Sequence, residues 1–143
     1  MCAEAEAKAN ERYDEYEAAV KGLEAPPRWK EFCASYENIE DARKAYRNHP
    51  YIKALGTTNL LPLFGDPFDV FGIGREKFVE RARKGAFSPY AILKDGEWYS
   101  VGEMGMFGIS SNDMNPDAWN ERVWELLRDL PVDTLITVVD CHI

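Results

Sequence analysis

Two short apolar runs, at residues 89–93 and 97–101, predict a β-hairpin in the second half of the chain. Asp95-Gly96 stands between them, and this dipeptide favours a two-residue type I′ turn because both turn positions need a positive φ angle. The turn predicts four opposed pairs: Lys94 with Glu97, Leu93 with Trp98, Ile92 with Tyr99, and Ala91 with Ser100. Both faces of this hairpin are apolar, so we expect both to be covered.

The pattern after the hairpin predicts a further strand, a helix and a last strand. Residues 102–108 contain three glycines but no GxGxxG or Walker pattern, and we interpret them as a third strand with bulges. Asn115-Pro116-Asp117 is typical of a helix start, and an apolar stripe with helical spacing follows it. The β-branched run Thr134–Cys141 predicts a central strand. The expected C-terminal domain is therefore an antiparallel sheet with one covering helix and its last strand in the middle.

Residues 3–23 are rich in alanine and glutamate and predict a long helix. Ala9 begins a series of apolar positions spaced four and three apart, which forms a narrow seam on this helix. The seam fits either packing on the protein's own core or pairing with a second chain, and two heptads do not distinguish the two. The residues of a homodimer seam would be Tyr13, Tyr16, Val20 and Leu23.

Three more helices are expected before residue 57. Pro26-Pro27 ends the first helix, Trp29 opens a stripe that predicts the second, and Asn38 caps the third with Ile39 facing inward. The last one is short, one or two turns over residues 50–55, and Gly56 closes it. Residues 57–74 are rich in proline, glycine and large apolar side chains, so we expect them to pack as an irregular layer between helices and sheet, or to form an exposed contact loop. A helix follows from Arg75 to Lys84.

The predicted fold class is α+β, in the order α-β-β-β-α-β. We divide the chain into a helical N-terminal region (1–56), an irregular apolar connector (57–74) and an α+β C-terminal domain (75–143). The length of 143 residues suits one domain, or one domain with a helical appendage.

Composition predicts a cytoplasmic protein. No run of 18 apolar residues and no basic-then-apolar leader is present, so we expect neither a membrane span nor a signal peptide. Three cysteines, at positions 2, 33 and 141, lack the spacing of a metal site. We interpret them as reduced thiols.

The formal net charge is −8 and is distributed unevenly. Residues 86–143 hold ten acidic and three basic side chains, whereas residues 26–60 hold six basic and four acidic ones. Phosphate contacts dominate nucleic-acid affinity, so we expect no direct nucleic-acid binding by the acidic regions. An acidic face suits a basic partner, including a nucleic-acid-binding protein.

The only cluster that resembles a catalytic site is Asp140-Cys141-His142 at the end of the last predicted strand. Strand neighbours point to opposite faces, so Cys141 and His142 diverge while Asp140 and His142 share a side. Such a pair needs a third group, from Glu103, Asp113 or His49, to bind a metal or do acid–base work. With two histidines in the chain, we expect no metal and no cofactor. Whether the protein is an enzyme stays open, and a non-enzymatic role is favoured.

A row of carboxylates forms the alternative candidate site. On and before the last predicted helix the acids are spaced four apart, and they form either a solvated face or a series that imitates nucleic-acid phosphates. The row consists of Asp113, Asp117, Glu121, Glu125 and Asp129. Next to it in the sequence are side chains that suit either a core or an adaptable contact surface: Met104, Met106 and Phe107.

The C-terminal residues also carry a resemblance. Trp98-Tyr99, Gly102, Met104-Gly105 and the terminal run from Leu130 to Ile143 resemble a family of small uncharacterised proteins encoded by phages, prophages and plasmids. The match covers about the last 70 residues, and relatives usually have tryptophan where this chain has Met106-Phe107.

The resemblance implies a source class and no activity. From this source class, together with the acidic charge and the lack of a catalytic constellation, we expect a phage or mobile-element accessory protein in the bacterial host cytoplasm. It would bind and inhibit a basic, nucleic-acid-binding host protein, such as a CRISPR or other defence complex. A small ligand-binding or metal-binding domain or enzyme that uses Asp140 and His142 is one alternative, and a dimerisation module built on the N-terminal helix is another.

Overall fold

A computed structural model describes residues 2–63 and 65–140, with the side chain of Phe107 left out. The fold is α+β, as predicted. The chain divides into two compact units, one of residues 3–82 and one mainly of residues from 83 onward. We call them the helical unit and the C-terminal unit. The division falls inside a helix, between Ala82 and Arg83.

Helices make up the regular structure that is described in the helical unit. They are α1 (Cys2–Val20), α2 (Trp29–Ala34), α3 (Ile39–Asn48), α4 (Pro50–Thr57), α5 (Pro67–Val70) and α6 (Arg75–Lys84). Local side chains fix their starts. Asn38 Oδ1 accepts a hydrogen bond from Glu40 N at 2.8 Å, and Asp66 Oδ1 accepts one from Phe68 N at 3.0 Å, so each cap satisfies an N–H group that the first helical turn leaves without a partner.

An aromatic core holds the helical unit together. Tyr16 and Phe71 stack with ring centroids 4.4 Å apart, and the hydroxyls of Tyr16 and Tyr51 are hydrogen-bonded at 2.6 Å. Tyr13 donates a hydrogen bond to the Phe71 carbonyl at 3.2 Å. The fully or largely buried members of this core are Tyr13, Tyr51, Ile52, Leu55, Leu60 and Phe71. Tyr13, Tyr16 and Val20 of the predicted seam thus pack on the unit's own core, and Leu23 lies beyond the end of α1.

Residues 57–74 belong to the helical unit and contain α5. Leu60 and Phe71 from this segment are 1% exposed, whereas Leu63 is 95% exposed. The segment therefore supplies part of the helical core.

The prediction that Ile39 faces inward is wrong, because this first residue of α3 is half exposed while Ala42, three residues later, is buried.

The C-terminal unit begins with the predicted hairpin. Strands β1 (Ala91–Lys94) and β2 (Glu97–Ser100) pair antiparallel in the predicted register. Asp95 and Gly96 have φ angles of 54° and 83°, which are the positive values that a type I′ turn requires.

A second small sheet replaces the expected third strand. Strands β3 (Glu103–Met104) and β4 (Ser110–Ser111) pair antiparallel around a 3₁₀ turn at Met106–Gly108. Gly102 permits a close approach between its backbone and Ser111, as predicted for the glycines of this region. A Cβ atom there would lie 2.7 Å from the Ser111 carbonyl oxygen and collide with the Asp113 carboxylate.

Helix α7 (Pro116–Arg128) completes the regular structure that is described in the C-terminal unit. Asn115 Oδ1 accepts a hydrogen bond from Asp117 N at 2.9 Å, which confirms the predicted cap. Trp119, Val123 and Leu126 are buried. Trp119 Nε1 donates to the Pro89 carbonyl at 2.7 Å, and Lys94 Nζ donates to the Leu126 carbonyl at 2.9 Å, so α7 is tied to both ends of β1.

The predicted last strand is wrong for the part of it that is described. Residues 134–140 form no strand and pair with neither sheet, and Cys141 lies outside the described residues. The expected single sheet with a central last strand is therefore replaced by two separate two-stranded sheets. Strand propensity depends on context, and the β-branched run meets no strand partner here. Within the described part of the chain, no helix is both long and apolar enough to cross a membrane.

Candidate functional site

An exposed apolar pair lies on one face of the β1–β2 hairpin. Leu93 and Trp98 are direct cross-strand partners, and they are 67% and 66% exposed. The prediction that both hairpin faces are covered is thus wrong for this face. The opposite face is half buried, and there the Arg122 guanidinium lies 5.4 Å from the Tyr99 ring centroid. Large exposed apolar patches mark interaction sites, and tryptophan is enriched among residues that dominate binding energy.

The second sheet presents further exposed apolar side chains. Met104, Met106 and Ile109 are all exposed, so the two predicted contact methionines do not form a core. The side chain of Phe107, the third predicted member, lies outside the described part. The Gly105 amide donates to the Ile109 carbonyl at 2.9 Å, which holds this short turn closed. A flexible methionine side chain adapts readily to the shape of a partner.

The carboxylate row follows α7. Asp117, Glu121 and Glu125 are on the helix, Asp113 precedes it, and Asp129 is its C-cap. Residues four apart on an α-helix are about 6 Å apart along the axis and rotated by about 40°, so the row winds slowly around one side. All five residues are exposed, which agrees with an outward-facing acidic surface.

Basic or hydroxyl groups contact members of the row. Lys84 forms an ion pair with Glu121, Arg122 Nη1 lies 3.2 Å from Glu125, and Arg128 Nε lies 3.4 Å from Asp129. Asp113 accepts a hydrogen bond from Ser110. The Arg122–Glu125 and Arg128–Asp129 pairs are exposed, whereas the Lys84 side chain is mostly buried. Exposed pairs contribute only about 0–1 kcal/mol. The carboxylates are therefore partly neutralised but remain accessible to a stronger basic partner.

The Asp140–His142 pair has no strand to support it. Asp140 lies in an irregular, exposed segment, so strand alternation does not place it beside His142, and His142 lies outside the described residues. Of the proposed third groups, Asp113 bonds Ser110 and Glu103 bonds the Asn112 amide at 3.3 Å. Over residues 2–63 and 65–140, no three His, Cys, Asp or Glu side chains are grouped as metal ligands would be.

A third group of exposed apolar side chains lies after α7. Val132, Leu135, Ile136, Val138 and Val139 are all exposed. We call residues 132–139 the apolar tail segment. It contains residues 134–139 of the predicted central strand, and it extends the exposed apolar surface of the C-terminal unit.

Comparison of the chain with models of known protein families, with curated proteins and with solved structures found no match.

The helical unit contains a cavity that the sequence interpretation missed. Its volume is about 660 Å³, and basic and aromatic side chains from α2 and α3 line it, among them Lys30, Arg43 and Tyr46. These residues come from separate helices, so no short motif joins them. The excess of basic residues between positions 26 and 60 is the signal that points to this region.

Proposed function

We propose that this chain is a phage or mobile-element accessory protein that binds and inhibits a basic, nucleic-acid-binding host protein through its C-terminal unit. The observation that carries the proposal is the exposed Leu93–Trp98 pair on a hairpin that also carries exposed carboxylates, at Asp95 in the turn and at Glu97 at the start of β2. This combination suits a partner surface with an apolar recess and a basic rim.

The charge of the C-terminal half supports the choice of a basic partner. Residues 86–143 carry a net charge of −7, and the α7 row presents its carboxylates on the outside. Opposite charge on a partner speeds association and selects against acidic competitors. The apolar pair would supply most of the affinity, and the acids would supply orientation and selectivity.

The source class comes from the resemblance of the C-terminal residues to phage, prophage and plasmid proteins, whereas the kind of target is inferred from the acidic charge of the chain. A CRISPR complex or another defence complex is the target class we favour. In this scheme, the acidic surface competes with DNA or RNA for a groove rich in lysine and arginine. The protein would then act as an anti-CRISPR-like inhibitor that excludes nucleic acid by occupying its site.

Affinity purification from nuclease-treated bacterial lysate tests the apolar contact. We expect the full chain to retain a basic host protein and the double variant Leu93→Ser/Trp98→Ser to lose it, with at least about a 30-fold weaker affinity for the purified partner. Ile39→Ser is the matched control, because Ile39 is also an exposed apolar residue but lies in the helical unit. Equal retention by all three proteins would contradict the proposed surface.

Competition with nucleic acid tests the mimicry. Adding the chain should displace a labelled oligonucleotide from the captured partner, and Glu121→Lys/Glu125→Lys should require at least tenfold more protein to do so. Glu11→Lys/Glu15→Lys is the control, since these two acids are also exposed and four residues apart, on α1. Added salt should weaken displacement by the unaltered chain. If the control variant loses as much activity, or the oligonucleotide stays bound, the mimicry is wrong.

A further inference from the structure

The cavity of the helical unit lies among α2, α3 and the start of α5. Its volume of about 660 Å³ is within the range of roughly 300–1,000 Å³ that small-molecule sites occupy. Four of its lining side chains are basic, namely Arg28, Lys30, Arg43 and Arg47. This concentration of positive charge occurs in a chain whose formal net charge is −8.

Three of the four basic side chains have no counter-charge. Among the residues that the structure describes, Lys30, Arg43 and Arg47 form no ion pair and no side-chain hydrogen bond. Arg28 is different, because its Nη1 lies 3.0 Å from the Asp69 carboxylate. An isolated guanidinium beside an apolar wall is well placed to bind an anionic group.

Two carboxylates also line the cavity, those of Glu31 and Asp66. Asp66 is already engaged, since Oδ1 accepts from Phe68 N at 3.0 Å and Oδ2 accepts from Trp29 N at 3.3 Å. Its role is to cap α5 and to hold the start of α2. The lining therefore keeps an excess of positive charge after both acids are counted.

Arg43 and Arg47 are one turn apart on α3. Like charges at positions i and i+4 of a helix repel each other and destabilise it, and Lys44 adds a third positive charge next to them. Arg43, Lys44 and Arg47 also line a second, smaller recess on the same helix. An anion held between the two guanidinium groups would relieve this repulsion, and the planar guanidinium fork matches the geometry of phosphate oxygens.

Aromatic rings form the wall beside these charges. The Trp29 and Tyr46 centroids are 5.2 Å apart, and the Phe32 ring packs edge-on against Tyr46 at 5.1 Å. The Tyr46 hydroxyl is buried and has no hydrogen-bond partner among the described residues. Burial, and secondly the Asp66 charge, raise the pKa of Tyr46 to about 12, so at neutral pH the hydroxyl keeps its proton and is a hydrogen-bond donor.

We propose that this cavity binds a nucleotide, with the phosphates on Arg43 and Arg47 and the planar base against Trp29 and Tyr46. The arginines supply charge-assisted hydrogen bonds to phosphate, and the aromatic wall supplies a surface on which a base stacks. A small ligand fits better than a long nucleic acid, because the acidic charge of the chain repels a polyanion that extends beyond the cavity.

Isothermal titration calorimetry on the full chain tests the proposal, with ADP as the probe. We expect saturable one-to-one binding of ADP and at least tenfold weaker binding of adenosine, which lacks the phosphates. Pyrophosphate, which lacks the base, should also bind at least tenfold more weakly than ADP. Equal binding of ADP and adenosine would overturn the assignment of the arginines, and equal binding of ADP and pyrophosphate would overturn that of the aromatic wall.

Charge variants locate the site. Arg43→Glu and Arg47→Glu should each weaken ADP binding at least tenfold, whereas Lys53→Glu should leave it within twofold, because Lys53 is an exposed base on α4 that does not line the cavity. Arg47→Lys retains the charge without the fork and should give an intermediate loss. A loss as large in Lys53→Glu would show general charge attraction and overturn the site.

A single-stranded oligonucleotide and an acidic peptide are the two competing ligand classes. Tighter binding of either one than of ADP, with loss in Arg43→Glu, would overturn the nucleotide proposal. The test is independent of the proposed partner surface, because Leu93→Ser/Trp98→Ser alters the C-terminal unit alone and should leave ADP binding unchanged. Thermal unfolding confirms that each variant is folded; the exposed positions of Arg43 and Arg47 favour this.

Discussion

In the helical unit, large apolar side chains such as Ile52 and Phe71 are buried in an aromatic core, whereas in the C-terminal unit Leu93, Trp98 and Met106 are exposed. The helical unit presents its positive charge around a cavity, and the C-terminal half presents negative charge along a helix. The helical unit therefore offers a basic recess, whereas the C-terminal unit offers exposed apolar and acidic side chains.

The largest expected effect on stability comes from removing a side chain at the centre of the helical core. Phe71→Ala should lower the free energy of unfolding of the helical unit by about 3–5 kcal/mol, because it deletes a buried ring and leaves a cavity. Leu63→Ala, in the same segment but 95% exposed, should change it by less than about 0.5 kcal/mol. Denaturant unfolding followed by circular dichroism measures both, and similar losses would show that the core is misplaced.

Two tryptophans of the C-terminal unit, one buried and one exposed, should differ in how much they contribute to stability. Trp119→Phe should cost about 2 kcal/mol, because a buried side chain becomes smaller and the hydrogen bond to the Pro89 carbonyl is lost. Trp98→Phe should alter stability by less than about 0.5 kcal/mol, since that ring is 66% exposed. Tryptophan fluorescence during urea unfolding reports both values. A large cost at Trp98 would mean that its face is covered within the chain.

Tyr46 should make the stability of the helical unit depend on pH. Its pKa is raised from 10.0 to about 12 in the folded state, so the neutral form is favoured by folding. The stabilisation is fully present below about pH 10 and is lost as the pH rises toward 12. Between about pH 10 and pH 12 the helical unit should lose stability, and Tyr46→Phe should reduce that slope. An unchanged slope in the variant would exclude Tyr46 as its source.

The smallest expected effect is at a surface ion pair of the helical unit. Arg75 Nη2 lies 2.6 Å from Asp14 and 2.7 Å from Glu17, and its guanidinium is 4.9 Å from the Tyr13 ring centroid. Arg75→Gln should lower stability by about 1 kcal/mol or less. The loss should shrink in 1 M salt. A salt-independent loss would assign the effect to packing of the arginine stem instead.

Local chemistry explains which parts of the fold could be predicted. The Asp95-Gly96 turn determines the whole hairpin register, and Asn38 and Asn115 cap their helices through contacts two residues away. Each of these signals acts over a few residues. The sequence therefore contains all that is needed to interpret them.

Features that depend on distant neighbours could not be predicted in the same way. The run from Thr134 has strand propensity, but a strand forms only where another strand offers its edge. The cavity needs Trp29 and Lys30 from one helix beside Arg43 and Arg47 from the next, and this proximity follows from packing. Leu93 and Trp98 are exposed because no other part of the described chain packs over them, and a local sequence pattern does not reveal this.

The apolar tail segment also bears on how much of this protein a cell can hold. Residues 134–139 contain no charge, no proline and no glycine, and three of them are β-branched aliphatic residues in an exposed, unpaired stretch. Short segments of this composition pair with copies of themselves as their concentration rises. Synthesis in small amounts, or at the same time as the partner, would keep the concentration of exposed tail segments low. The level of expression therefore sets how much of the protein self-associates.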